Sequence, residues 1–249
     1  MQNKLKLSDL ETEIRGRKDT AKARLLQRFF KTGPGQYGEG DVFLGLTVPE
    51  QRKISGRYGH LPLSDLKRLL LSPIHEFRLI ALLILVKKYQ SAETDKEKDA
   101  LARFYLSQAR RINNWDLVDL SSPHIAGEYF FRHREKQGER EALAASSNLW
   151  VRRIAMLSTF YDIRQGQAGP ALRLAKQLIE DKHDLMHKAV GWMLREAGKR
   201  TELKNLLDFL EKYGAKMPRT ALRYAIERLA PGERAHYLSL SWAKSRKRP

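Results

Sequence analysis

The sequence predicts an all-α fold, an α-solenoid in which pairs of helices stack as repeats. Apolar residues recur at helical spacing along nearly the whole chain, and no stretch alternates apolar and polar residues as a half-buried strand would. A two-helix unit also recurs every 35 to 37 residues. Stacked helix pairs bury a continuous core and leave a curved concave surface, which is predicted to be basic here.

The individual helices follow from their start and stop signals. The first well-marked helix opens at a Ser64-Asp65 cap, continues with apolar residues at helical spacing and ends at the Ser72-Pro73 break. The predicted pairs are 64–71 with 75–89, 99–111 with 115–131, 140–147 with 149–161, 169–180 with 185–198, and 201–213 with 219–229.

The repeat is visible in the second helix of each pair. Residues 77–82 align with residues 151–156, and residues 186–191 follow the same pattern more loosely. The unit is slightly shorter than the ~40 to 47 residues of HEAT and armadillo repeats. Five positions are taken as equivalent, with successive spacings of 37, 37, 35 and 35: Arg78, Trp115, Arg152, His187 and Leu222.

We expect a single repeat domain over residues 1–240 and a basic, disordered tail over 241–249. A glycine-rich loop over 33–45 lies near the start of this domain. Its Gly33–Gly38 segment has the glycine spacing of a dinucleotide-binding fingerprint, but it follows a helical segment and not a strand. We therefore interpret it as a turn or lid.

Composition excludes several classes of protein. There is no cysteine, which excludes disulfides, thiol nucleophiles and thiolate metal sites and favours a reducing compartment. The longest apolar run, Leu79–Val86, has eight residues and is too short to cross a bilayer. The first ten residues lack the apolar core of a signal peptide. We expect a soluble, cytoplasmic protein, with a monomer as the default.

The formal net charge of +18 favours a polyanionic partner, since cationic side chains release the counterions of a nucleic acid. Solvation of helix faces is the alternative explanation, but ordinary domains carry a net charge of only ~2 to 8. An anionic membrane is less favoured, because no terminal helix pairs a basic face with a clean apolar one. Nucleic acid is the leading candidate.

One acidic and aromatic motif, residues 113–119, stands out in this basic chain. Trp115 and Asp119 are four residues apart, so they project from the same face of a helix. A carboxylate beside an aromatic ring can stabilise a positively charged reaction centre. Asp116 sits at the predicted helix start, where its charge most simply complements the helix dipole.

Three segments together, residues 115–119, 148–153 and 188–196, resemble the AlkD-type DNA alkylation repair glycosylases. The resemblance runs from about Phe43 onward, in the same order and repeat phase. It implies a HEAT-like repeat fold that grips duplex DNA and hydrolyses the N-glycosidic bond of cationic N3- or N7-alkylated purines. It also implies that the damaged base stays largely stacked and is not pulled into a pocket. Because such a base is already a cationic leaving group, we expect no metal or organic cofactor.

The resemblance implies roles for individual residues. Asp119 matches the catalytic aspartate, Trp115 the aromatic residue one turn before it, and Trp192 the second aromatic residue of the cleft. Arg153 matches an arginine that contacts the DNA backbone near the lesion. Further basic residues are expected to divide between DNA contacts and structural pairing: Arg78, Arg152, Lys188, Arg195 and Arg219.

Other candidates are given structural roles. Trp150 is interpreted as a core residue at the start of its helix. His183 and His187 are four apart, but a zinc-protease motif needs a glutamate directly after the first histidine, and this chain has Asp184 there. Two ordinary histidines are therefore favoured over a metal site.

The chain also departs from the family pattern. Asn114 stands where a second tryptophan often precedes the catalytic one, and the glycine-rich loop is an addition that puts the substrate range in doubt. Phe29 is a weakly aligned candidate for a tyrosine used near the lesion. Two alternative functions stay open: a noncatalytic DNA-structure binder, and a protein-interaction scaffold.

Overall fold

The computed structural model describes residues 5–245, and their side chains as far as residue 240. The described residues form fifteen α-helices joined by turns, short 3-10 segments and one isolated β-bridge. The helices are α1 Leu7–Gly16, α2 Thr20–Phe29, α3 Val48–Arg57, α4 Leu63–Leu70, α5 His75–Ser91, α6 Asp95–Ser107, α7 Trp115–Asp119, α8 Ala126–Arg132, α9 Gln137–Ala144, α10 Leu149–Arg164, α11 Gly169–Leu178, α12 Asp184–Arg200, α13 Leu203–Tyr213, α14 Arg219–Ala225 and α15 Pro231–Ser245. The predicted all-α helical repeat fold is confirmed.

The chain folds as two compact units, a division that the sequence does not predict. The first unit ends at Ser121 and the second begins at Ser122. In the first, α5 is buried on nearly every side and packs against α1, α3, α4 and α6. In the second, α10 and α12 form the centre of the core, and Trp150 is buried as expected.

A side-chain hydrogen bond recurs at three of the predicted equivalent positions. Arg78 Nη1 donates to the Ser72 carbonyl at 2.8 Å, and Arg152 Nη1 donates to the Ser146 carbonyl at 2.9 Å. His187 Nε2 bonds the Asp181 carbonyl, again six residues earlier. Each carbonyl lies just beyond the end of the preceding helix, where carbonyl groups lack helical partners. The common contact supports the repeat register read from the sequence.

The predicted single helix over 115–131 is wrong, because the chain forms α7 and α8 with a turn at 120–125 between them. Pro123 has no N–H to donate to the Asp119 carbonyl, and its ring clashes with a helical path. Ser121 Oγ donates to the Leu117 carbonyl at 2.5 Å and occupies an acceptor at the helix end. Asp119 is therefore the last residue of a five-residue helix.

Other boundaries differ less. Helix α6 starts at Asp95 because Thr94 and Glu97 form a capping box, and a 3-10 segment follows it at Ala109–Arg111. Helix α15 reaches Ser245 and so includes the first positions of the predicted tail, while residues 246–249 lie outside the described residues. Within the described range, every helix is too short or too polar to cross a membrane.

Candidate active site

The start of α7 is fixed by Asn114, which is fully buried. Its Oδ1 accepts a hydrogen bond from the Trp115 N–H at 2.8 Å, and its Nδ2 donates to Asp41 Oδ2 at 3.0 Å. One side chain thus caps the helix and ties it to a residue 73 positions earlier. This contact holds the backbone of the helix that carries Trp115 and Asp119.

Asp116 is a buried structural residue, in agreement with the role expected for it. Its Oδ2 lies 2.8 Å from His75 Nε2, and its Oδ1 accepts from the Leu117 N–H at 2.9 Å. Burial lowers the pKa of His75, but the charge and hydrogen bond of Asp116, together with Asp41, raise it overall to about 9. His75 is therefore a cation at neutral pH, and it anchors α7 to α5.

A second buried ion pair completes this network. Arg78 Nη2 lies 2.5 Å from Asp41 Oδ1, and His75 Nδ1 lies 3.5 Å from Asp41 Oδ2. Burial raises the pKa of Asp41, but the hydrogen bond of His75 and the charge of Arg78 lower it overall. Charges alternate along the chain of contacts from Arg78 through Asp41 and His75 to Asp116. Arg78 therefore pairs with a residue of the protein, and structural pairing is one of the two roles expected for the basic residues, the other being contact with DNA.

The end of the glycine-rich loop is held by Glu76, whose carboxylate is completely buried. One of its oxygens accepts from the backbone N–H groups of Leu44, Gly45 and Leu46 at 2.9, 2.8 and 3.3 Å. A Cβ on Gly45 would lie 2.3 Å from the Asp19 carbonyl oxygen, and its φ of 98° also favours glycine. This part of the loop is a fixed wall of the first unit.

An aromatic cavity of about 380 Å³ lies in the first unit, and Trp115 and Asp119 both line it. Trp115 stacks on Phe30 with ring centroids 5.1 Å apart, and Phe29 meets Trp115 edge to face at 5.8 Å. Phe30 in turn stacks on Phe43 at 4.9 Å. The walls are almost entirely apolar, so any charge inside them acts in a medium of low polarity.

Three carboxylates line this cavity, but they differ in exposure. Asp116 and Glu76 are buried and bonded to the protein, as described above. Asp119 is partly exposed. Of the three, it is the carboxylate that water and a ligand can reach.

The sequence identified Trp115, Asp119 and, weakly, Phe29, which the structure brings together around one cavity. It missed Phe30, Phe43 and the buried pair of His75 and Asp41. The adjacent polar residues His75 and Glu76, shortly before the apolar run of α5 at residues 79–86, were the available signal.

The remaining predicted site residues belong to the second unit. Trp192 is partly buried and lies 6.0 Å from Phe160 between ring centroids. Gly191 precedes it at a close approach of α12 and α14, where a Cβ would lie 2.3 Å from the Ala221 carbonyl oxygen. The part played by Trp192 stays a prediction.

The basic residues predicted to contact DNA all have partners within the second unit. Arg153 is buried and its Nη1 donates to the Leu185 carbonyl at 2.5 Å, while Arg152 pairs with Asp181 at 2.6 Å. Lys188 pairs with Asp184 at 2.8 Å, and Arg195 pairs with Glu196 and Glu227. Their contacts with phosphate stay predictions.

The two histidines considered for a metal site have structural contacts in the second unit. His183 caps α12 by accepting from the Leu185 N–H, and His187 makes the repeat hydrogen bond described above. Arg219 donates to the Leu238 carbonyl at 2.7 Å.

Comparison with known proteins agrees with the fold. A solved structure described as a predicted DNA alkylation repair enzyme from Enterococcus faecalis shares the fold, with a TM-score of 0.66 and 17% sequence identity over 86% of this chain and 98% of that one. A search of curated proteins found no match. A family model for DNA alkylation repair enzymes matches residues 10–229, which is most of the chain. The protein therefore belongs to the DNA alkylation repair enzyme family.

Proposed function

We propose that this protein is a DNA glycosylase that hydrolyses the N-glycosidic bond of N3- and N7-alkylated purines in duplex DNA. Membership of a DNA alkylation repair family supports a role in the repair of alkylation damage. The observation that carries the finer proposal is the partly exposed Asp119 carboxylate on the wall of an aromatic, apolar cavity beside Trp115. The reaction is the first step of base excision repair.

The proposed reaction needs few catalytic groups from the protein. An N3- or N7-alkylpurine carries a positive charge, so the C1′–N bond breaks with its electron pair going to the base, and no general acid is required. The sugar is left with oxocarbenium character, and a water oxygen then bonds to C1′ and loses a proton. Asp119 stabilises the cationic sugar and accepts the proton of the water. A free base and an abasic site are the products.

The surroundings of Asp119 strengthen its electrostatic effect. The walls of the cavity are almost entirely apolar, and a charge in such a medium acts more strongly on a developing cation than it would in water. The indole face of Trp115 adds a cation–π contribution of roughly 0.5 to 2 kcal/mol. Asn114 and the pair of Asp116 and His75 act as positioning residues, since they hold α7 and touch no substrate in this mechanism.

Further parts of the proposal rest on the family resemblance alone. These are a stacked rather than extruded base, an aromatic contact from Trp192, and a phosphate contact from Arg153. Phosphate contacts from Arg152, Lys188 and Arg195 rest on the positive charge of the chain. The partner is duplex DNA, and the reaction requires no cofactor.

The proposal is tested by mass-spectrometric measurement of the bases released from methylated duplex DNA. We expect the wild type to release 7-methylguanine or 3-methyladenine, and Asp119→Asn to bind the duplex but lose release by at least a hundredfold, as expected when one key electrostatic group is removed. Asp208→Asn is the matched control, because it neutralises an exposed carboxylate whose ion pair among the described residues is with Lys204. Undiminished release by Asp119→Asn would refute the assignment.

The same measurements separate the alternatives. A wild-type protein that binds duplex DNA but releases no alkylated base would be a noncatalytic DNA-structure binder. A protein that shows no salt-dependent binding to duplex DNA would be a scaffold for an acidic protein partner, because several phosphate contacts necessarily give steep salt dependence.

A further inference from the structure

Helix α2 exposes two large apolar side chains without an evident structural reason. Leu25 is 67% exposed and Phe29 is 63% exposed, the two highest values among the large hydrophobic residues of the described chain. They are four residues apart and therefore neighbours on one face of the helix. Phe29 also contacts Trp115 and lines the cavity of Asp119. An exposed apolar pair beside a candidate active site indicates a surface that a partner covers.

Next to this pair lie basic side chains that have no carboxylate partner. Arg24, Arg28 and Lys31 are exposed, and none forms an ion pair with the described residues. Their spacing of four and three residues places them along one side of α2 and its C-terminal end. They differ from the basic residues of the second unit, which have partners as described above.

The basic side of α2 borders a polar cleft of about 440 Å³. The cleft is lined by Arg24, Gln27, Arg28, Thr32, Gly33 and Gln36. The aromatic cavity uses other positions of the same helix, Leu26 and Phe29. Because a helix with its side chains is roughly 10 to 12 Å across, the two clefts are separated by about that distance. At ~3.4 Å rise per nucleotide along the helix axis, this is at most about three nucleotides of one DNA strand.

We propose that α2 is a DNA-contacting helix in which Arg24 and Arg28 hold a backbone phosphate within about three nucleotides of the sugar at Asp119. Guanidinium groups bind phosphate with charge-assisted, often bidentate hydrogen bonds, and two without carboxylate partners lose no ion pair on doing so. Leu25 and Phe29 pack against the deoxyribose groups between that phosphate and the reacting nucleotide. The inference rests on the proposed function for its substrate, duplex DNA.

Charge and size favour DNA over the other occupants of such a surface. An anionic membrane would also attract the arginines, but α2 has ten residues and only Leu25 and Phe29 as exposed large apolar side chains, with Phe29 already against Trp115. A second copy of this chain carries the same positive charge and is repelled. A strand of phosphates and sugars offers both the anion and the apolar surface.

The test compares two double variants in binding to a fluorescein-labelled duplex, measured by anisotropy over a series of KCl concentrations. Arg24→Gln with Arg28→Gln should lower the slope of log affinity against log salt by about 0.9, the value for one phosphate contact. Arg17→Gln with Arg57→Gln is the control, since both residues are exposed cations of the first unit that bind Glu13. It removes the same charge and should leave the slope nearly unchanged. Thermal melting verifies that both variants are folded.

A second measurement locates the phosphate. Neutral methylphosphonate groups are placed one at a time at positions up to four nucleotides from the lesion. At one of the first three, the substitution should weaken binding by the wild type about tenfold and leave binding by the Arg24/Arg28 variant unchanged. An effect of equal size on both proteins at every position would overturn the proposal, as would equal salt slopes for the two double variants.

These outcomes are distinct from a failure of the proposed function. Base release by the wild type together with an unaltered salt slope in the Arg24/Arg28 variant would support the glycosylase function and refute the phosphate site on α2. A lowered slope in a protein that releases no base would support the phosphate site and refute the glycosylase function. Binding to anionic vesicles that is lost in the Arg24/Arg28 variant, with DNA binding intact, would assign α2 to a membrane surface and overturn the inference.

Discussion

The first and second units share a recurring arginine contact, but the contact has different surroundings in each unit. Arg78 and Arg152 each donate to the carbonyl six residues earlier and each pair with an aspartate. In the second unit the other bonds of Asp181 are local: its Oδ1 accepts from the His183 backbone N–H, and its backbone carbonyl bonds His187 Nε2. In the first unit Asp41 also contacts His75 and Asn114, and through them α7.

The difference shows how a structural repeat can acquire a functional task. The ion pair of Arg78 is almost completely buried, whereas the side chain of Arg152 is 17% exposed. Burial removes water as an alternative partner, so the first network must satisfy its charges internally. That requirement links the loop, α5 and α7 into one rigid support for Trp115 and Asp119. In the second unit the equivalent pair of Arg152 and Asp181 joins α10 to the turn before α12.

The largest expected effect follows from removing the two aspartates. Asp41→Ala leaves two buried cations, His75 and Arg78, without their shared partner and should lower the free energy of unfolding by about 3 to 5 kcal/mol. Asp181→Ala removes a partly exposed charged hydrogen bond and should cost about 2 kcal/mol. Urea unfolding followed by circular dichroism measures both. Equal losses would mean that burial does not distinguish the two networks.

The two units should also respond oppositely to pH. Since the pKa of His75 is raised to about 9 from 6.5, the folded protein retains a proton that the unfolded chain loses, and stability falls as pH rises from about 6.5 to 9. The loss is on the order of 3 kcal/mol. Burial lowers the pKa of His183 from its usual 6.5, so this residue contributes stability that is present above about pH 6.5 and is lost as pH falls below that value.

Unfolding measured from pH 5 to pH 9 tests this contrast. His75→Asn should flatten the alkaline side of the profile, and His183→Asn should flatten the acidic side. An alkaline decline that persists in His75→Asn would show that another group is responsible.

The smallest expected effects on stability come from replacing the two asparagines that cap helices, Asn114 in the first unit and Asn148 in the second. Asn114→Ala and Asn148→Ala each remove a helix cap, at a cost of about 1 kcal/mol. Asn114→Ala also frees α7 from Asp41, so single-turnover release of methylated bases should fall about tenfold, equivalent to about 1.4 kcal/mol of transition-state stabilisation. Asn148→Ala should leave that rate unchanged. Equal rates for both variants would show that α7 does not need its buried anchor.

The sequence predicted most of the helices between residues 64 and 229, and the repeat phase, because both depend on local periodicity and on caps and breaks. It also placed Trp115 and Asp119 together, since one helical turn fixes their relation. It did not predict the turn at Pro123, because the apolar periodicity continues across the point where the helix is interrupted. The contact of Asp41 with His75 and Arg78 joins residues 34 and 37 positions apart, and no local pattern encodes such a distance. Whether a cation such as Arg152 is paired or open to DNA is likewise decided by tertiary neighbours.

Glu76 holds the backbone at Leu44, Gly45 and Leu46, and this affects how far the length of the preceding loop can vary. The segment between Phe30 and Asp41 is secured at both ends by buried residues, so its own length has little influence on the support of Asp119. Closing a loop of twice the length costs only about 0.6 kcal/mol of extra chain entropy. Residues 33–40 are therefore a tolerant place for insertions or deletions, where new sequence can be added without shifting the chemistry.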